Sequence, residues 1–75
     1  MRVLFFGRVA DQLGHERQVD MPAAGCTVAE LRRLIAAEVL GKPGIRASID
    51  REVVGEDAFV RPGAEVAFFS VFSGG

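Results

Sequence analysis

Apolar residues change their spacing several times along this chain, and each change marks an element. Val3-Leu4-Phe5-Phe6 is a near-continuous run of branched and aromatic side chains, so Arg2 to Phe6 reads as a strand that Gly7 ends. Val9 and Leu13 have a short helical spacing, which gives a loop or single turn closed by Gly14. Glu16 to Met21 alternates weakly and predicts an antiparallel return strand with Val19 and Met21 on one face, broken by Pro22 to Gly25. From Val28 the period becomes helical. Val28, Leu31, Leu34, Ile35 and Val39 form one stripe, with Arg32, Arg33 and Glu38 on the wet side. Thr27 and Glu30 have the spacing of a capping box, and Cys26 and Leu31 that of a hydrophobic staple. Gly41 is the expected left-handed cap, and Pro43 forbids continuation.

The second half returns to short strands. Ile45 to Asp50 alternates, with Ile45, Ala47 and Ile49 on one face. Asp50-Arg51-Glu52 is the expected tight turn before Val53-Val54. Phe59 is expected to plug the core after a loop at Glu56-Asp57, and Arg61-Pro62-Gly63-Ala64-Glu65 is a strong turn signal. Val66 to Phe72 is a second strongly apolar strand, expected in the centre beside the first. The expected fold class is α+β, a mixed sheet of about four to five strands packed on one main helix. No repeat, low-complexity tract or linker interrupts it.

Composition narrows the function. A chain of 75 residues is one domain near the lower size limit for a self-sufficient core, with little room for an enclosed active site. Nine basic residues are dispersed among ten acidic ones, which argues against binding to a nucleic-acid backbone. The first apolar run is too short for a signal peptide or a membrane span, so no membrane partner and a cytoplasmic location are expected. One cysteine, Cys26, and one histidine, His15, exclude an internal disulfide and a structural zinc site built from these residues. Cys26 precedes a helix N-terminus, where a thiolate would be favoured, yet its spacing suits an apolar staple better. His15 reads as the start of a surface strand. Asp11, Asp20, Asp50 and Asp57 form no metal-binding loop.

The remaining chemistry lies at the end of the sequence. Ser73-Gly74-Gly75 directly follows the last apolar strand. Glycine lets a tail pass through a narrow channel in an extended form, and four residues from Phe72 span at most about 13 Å. The expected layout is a domain over residues 1–72 and a reactive tail over 73–75. A terminal carboxylate becomes an acyl electrophile once adenylated. Sulfur can then convert it to a thiocarboxylate, or an amine can capture it as an amide. The nucleotide site for that step belongs to a partner, because no phosphate-binding loop is present here.

Four segments carry a resemblance: Val3 to Gly14, Thr27 to Leu31, Pro62 to Phe69, and Ser73-Gly74-Gly75. In order and spacing the chain resembles the small subunit of molybdopterin synthase, a family of sulfur carriers with the ubiquitin-like β-grasp fold. The resemblance implies that the small subunit is not itself catalytic. A ubiquitin-activating-enzyme-like adenylyltransferase would use ATP and magnesium to adenylate Gly75, and a sulfur donor enzyme would then give the thiocarboxylate. No cofactor would be bound stably by this chain. The tail would enter the large catalytic subunit of a heterotetramer and donate sulfur to cyclic pyranopterin monophosphate.

By the same resemblance, Gly75 bears the sulfur, Gly74 permits extended insertion and Ser73 is the small polar residue before them. Phe68, Phe69 and Phe72 contribute to the partner interface. One departure stands out. Family members often end Pro-Pro-Val-Ser-Gly-Gly, whereas this chain has Ser70-Val71-Phe72-Ser73-Gly74-Gly75, without the stiff proline approach. The alternatives are carriage for another route such as thiamin thiazole synthesis, a ubiquitin-like modifier joined to lysines, and an interaction domain indifferent to its terminus.

Overall fold

The computed structural model describes residues 1–71. Five strands form one sheet: β1 (Arg2–Phe6), β2 (Glu16–Gln18), β4 (Ile45–Ile49), β5 (Glu52–Val54) and β7 (Val66–Ser70). Their spatial order is β2-β1-β7-β4-β5. β7 lies in the middle, parallel to β1 and antiparallel to β4. The two most apolar runs are therefore neighbours, each shielding the other's backbone. Two further short strands, β3 (Cys26–Thr27) and β6 (Phe59–Val60), pair separately. The long helix α2 (Val28–Leu40) and the short α1 (Arg8–Leu13) complete the fold.

The core forms where α2 meets one face of the sheet. Alternation along β1 and β7 sends Val3, Phe5, Val66 and Phe68 to that face, all fully buried. Val28, Leu31 and Leu40 come from α2, Val9 from α1, Ala47 from β4 and Val60 from β6. Phe5 and Phe68 occupy paired positions on β1 and β7, and their rings stack with centroids 6.4 Å apart. Thr27 and Glu30 form the expected capping box. Thr27 Oγ1 accepts from the Glu30 N–H (3.2 Å), and Glu30 Oε1 accepts from the Thr27 N–H (3.0 Å).

Several expectations need correction. Residues 8–13 close a six-residue helix, not a loop or single turn. β2 stops at Gln18, and Val19 continues the pairing with Met1, its N–H donating to the Met1 carbonyl (2.8 Å) and its carbonyl accepting from the Met1 amino group (3.1 Å). The helical stripe breaks at Ala36, whose φ of −167° and ψ of 85° lie outside the helical region. That break shifts the phase of the last turn, so Leu40 is buried and Val39 is half-buried; Leu34, ahead of the break, is exposed. Gly41 stays right-handed at φ −82°, and Gly44 takes the positive φ of 86°.

Two further side chains depart from expectation. Phe59 is exposed and Val60 is the core plug, because pairing of β6 with β3 fixes the alternation. The Phe59 ring instead covers Gly25, where a Cβ would lie 2.5 Å from the ring. Arg32 does not face water. It donates to the carbonyls of Leu40 and Ile45 (2.8 Å to the latter) and to the Glu56 carboxylate (2.7 Å). Its guanidinium carbon lies 5.3 Å from the centre of the Phe68 ring. Arg32 thus ties the end of α2, the start of β4 and the loop after β5 to one point.

Candidate functional site

The chain reaches the limit of the described residues at the C-terminal end of the central strand. Three neighbours hold that point. The Arg8 backbone N–H donates to Ser70 Oγ (3.0 Å), and the Val71 N–H donates to the Gly44 carbonyl (2.9 Å). Gly7, at φ +69°, lies so close that a Cβ there would sit 2.5 Å from Ser70 Oγ. The root of the tail is therefore fixed by the β1–α1 junction and by the loop between α2 and β4. The sequence marked Gly7 only as a strand terminator. Its close approach to Ser70 depends on the parallel pairing of β1 with β7, which no local signal reveals.

Beside this root, the face of the sheet opposite α2 carries no helix among the described residues. Leu4 pairs with Ala67, and Phe6 with Phe69. Arg46 also opposes Phe69, and Ser48 opposes Ala67 and Val53. Phe6 and Val53 are more than half exposed, at 53% and 58%. This is an apolar patch of the kind that partners cover. Phe69 belongs to it and is half-buried. Phe68 does not. It points to the opposite face, is fully buried, and cannot touch a partner in the folded protein. The remaining expected site residues, Phe72, Ser73, Gly74 and Gly75, lie outside the described residues.

Cys26 sits in the core at the mouth of α2. Burial pushes its thiol pKa up, and the nearby Glu30 charge pushes in the same direction. Both effects oppose the thiolate that a nucleophile or persulfide acceptor needs. His15 is exposed just before β2, and its carbonyl accepts from the Phe5 N–H (2.9 Å). No three His, Cys, Asp or Glu side chains among the described residues are grouped to hold a metal ion. No helix among them is long and apolar enough to cross a membrane.

The ThiS family model matches residues 3–75. The chain belongs to the ThiS family. A crystal structure of SAMP1 from Haloferax volcanii superposes with a TM-score of 0.78 over 100% of this chain and 98% of that chain, at 22% identity. That likeness establishes the ubiquitin-like β-grasp fold. No curated protein matches.

Membership in the ThiS family corrects the resemblance drawn above. The chain is a small β-grasp protein of the sulfur-carrier superfamily, whose members depend on partners for activation. It is not identified as the small subunit of molybdopterin synthase. The large synthase subunit and the pyranopterin acceptor lose their support with that assignment. The four segments that suggested it, Val3 to Gly14, Thr27 to Leu31, Pro62 to Phe69 and Ser73-Gly74-Gly75, all lie within the stretch that the ThiS family model matches. The missing prolines before the tail were the one departure from the narrower family.

Proposed function

We propose that this protein carries sulfur on Gly75 for a route other than molybdopterin synthesis, thiamin thiazole synthesis being one such route. The observation that carries the reading is the family match, which runs through the last residue of the chain. The pinned end of β7 supports it, since a rigid root limits where the reacting end can be presented.

The chemistry proceeds in two steps. A Gly75 carboxylate oxygen attacks the α-phosphorus of ATP held with magnesium by an adenylyltransferase. Pyrophosphate leaves, and the C-terminus becomes an acyl-adenylate. A hydrosulfide-level nucleophile from a sulfur donor then attacks the acyl carbon, the bond to AMP breaks, and a thiocarboxylate remains. Gly74 and Ser73 keep the approach narrow, while Phe69 and the open sheet face supply partner contact alongside Phe72. This chain contributes the carboxylate and the docking surface, and its partners contribute the catalytic groups.

The test is the mass of the intact protein after incubation with the adenylyltransferase, ATP, magnesium and a sulfur donor, beside a chain lacking Gly75. Fragmentation must place the oxygen-to-sulfur exchange on Gly75, because oxidation of Met1, Met21 or Cys26 adds nearly the same mass. Sulfur on Gly75 supports the reading. An unmodified Gly75 with a demonstrably active enzyme and donor overturns it, and an isopeptide adduct through Gly75 would instead identify a modifier.

A further inference from the structure

The root of the tail borders a recess of about 610 Å³. Its apolar wall comes from Val39, Pro43 and Ile45, and its charged groups are Arg8 and Lys42. Ser70, the last residue of β7, lines it too. None of the described residues lining it is acidic, although acidic residues outnumber basic ones in the whole chain. Arg8, Gln12, Lys42 and Pro43 are exposed at its rim. Arg32 donates to the carbonyls of Leu40 and Ile45, which bracket the loop that carries Lys42 and Pro43 into the lining. Val39, three residues past the break at Ala36, is half-buried and lines the recess.

We propose that this recess docks an apolar segment flanked by carboxylates on the enzyme that activates the tail. The inference rests on the carrier reading for the identity of that partner. Two observations favour such an occupant. First, residues 72–75 lie between Val71 and the reacting end, and four residues span at most about 13 Å. An active site that receives Gly75 must therefore bring its own surface to within that distance of the recess. Second, an apolar wall beside two cations with no acid among them complements a segment of apolar and acidic side chains. The contact is separate from the open sheet face, which lies on the other side of β7. Together the two surfaces grip the central strand from both sides just where the tail departs.

The experiment has two arms. In the first, the whole ¹⁵N-labelled protein is titrated with the blocked hexapeptide Glu-Leu-Leu-Phe-Asp-Glu and, separately, with Lys-Leu-Leu-Phe-Lys-Lys. Amide shifts at Arg8, Gln12, Lys42, Gly44 and Ser70 with the acidic peptide, absent with the basic one and in the R8E/K42E variant, support the proposal. Shifts confined to the open sheet face, or equal shifts with both peptides, overturn it. Both substitutions are at exposed side chains, and an unchanged melting temperature confirms that the variant folds. In the second arm, the KM of the adenylyltransferase for R8E/K42E is expected to rise about tenfold with kcat unchanged, a binding effect alone. An unchanged KM with wild-type turnover overturns the docking site while leaving sulfur carriage intact. If wild-type protein is not adenylated by a demonstrably active enzyme, the carrier reading falls, and the peptide arm alone decides the recess.

Discussion

Two adjacent phenylalanines on the central strand have opposite roles. Phe68 faces α2, is fully buried, stacks on Phe5 and lies under Arg32. Phe69 faces away from the helix, pairs with Phe6 across the open face and is only half-buried. The same division runs through the first strand, where Phe5 is buried and Phe6 is 53% exposed. One sheet therefore presents a closed face that holds the protein together and an open apolar face available to partners. The lesson is that hydrophobic content alone does not separate stability from recognition. The covering helix makes that separation.

The sharpest way to break the comparison is to truncate each member of the pair. Phe68→Ala removes a fully buried ring and should cost about 3–5 kcal/mol. A domain of this size has only about 4–11 kcal/mol of total stability, so urea unfolding should show a chain close to its folding threshold. Phe69→Ala should cost about 1 kcal/mol or less in the same titration, yet weaken the protein as a substrate of its activating enzyme. Equal losses of stability would dissolve the distinction between the two faces.

Arg32→Met probes how the closed face is anchored. It leaves two backbone carbonyls without their donor and removes the cation over Phe68. A loss of about 2 kcal/mol is expected by urea unfolding. Amide shifts around Lys42 and Gly44 should accompany it, because the same side chain shapes the loop beside the tail root.

Thr27→Ala tests the start of the covering helix and should cost about 1 kcal/mol. It also has a signature in pH. The Thr27 backbone N–H, then its hydroxyl, then the Arg33 charge hold the Glu30 carboxyl below its usual range. The Glu65 backbone N–H, then Arg61, do the same for Asp50. A folded-state pKa below the unfolded one means that stability is complete above the ordinary carboxylate range and falls as pH drops through the depressed values. Thermal melts of the wild type should therefore weaken on acidification. In Thr27→Ala the dependence should be shallower, with the Asp50 contribution remaining.

The smallest effect is expected on the far hairpin. Asp50 and Arg51 occupy a two-residue turn with φ of 50° and 71°. Arg51→Gly relieves the left-handed strain of a side-chain-bearing residue and creates the Asp-Gly pair that such hairpins favour. The ion pair it removes, Arg51 with Glu65 at 3.5 Å, is highly exposed and contributes little. A gain of up to about 1 kcal/mol by urea unfolding is expected.

Much of the frame is legible in the order of residues because its signals are local. The near-continuous apolar run along Arg2–Phe6, the capping box at Thr27 and Glu30, and the apolar run at Val66 each depend on neighbours within one or two turns of chain. They place the strands, the helix start and the central pair without reference to anything distant. The Gly-Gly end is equally plain as a candidate for reactive chemistry, although the narrower family first read from it gave way to the ThiS family.

Other features arise from contacts between segments far apart in the chain. Arg32 reads as a wet-side residue because its helical position is polar, yet the carbonyls it satisfies belong to the end of α2 and to β4. Phe59 reads as core because it is aromatic, yet the pairing of β6 with β3 turns Val60 inward. The recess beside the tail joins residues from 8 to 70, brought together across the parallel pairing of β1 with β7. Periodicity tells which side chains share a face, while only the packed neighbours tell which face is covered. For this protein, local pattern supplies the elements and the candidate for a reactive end. Long-range packing chooses which aromatic rings stabilise the domain and which remain available to a partner.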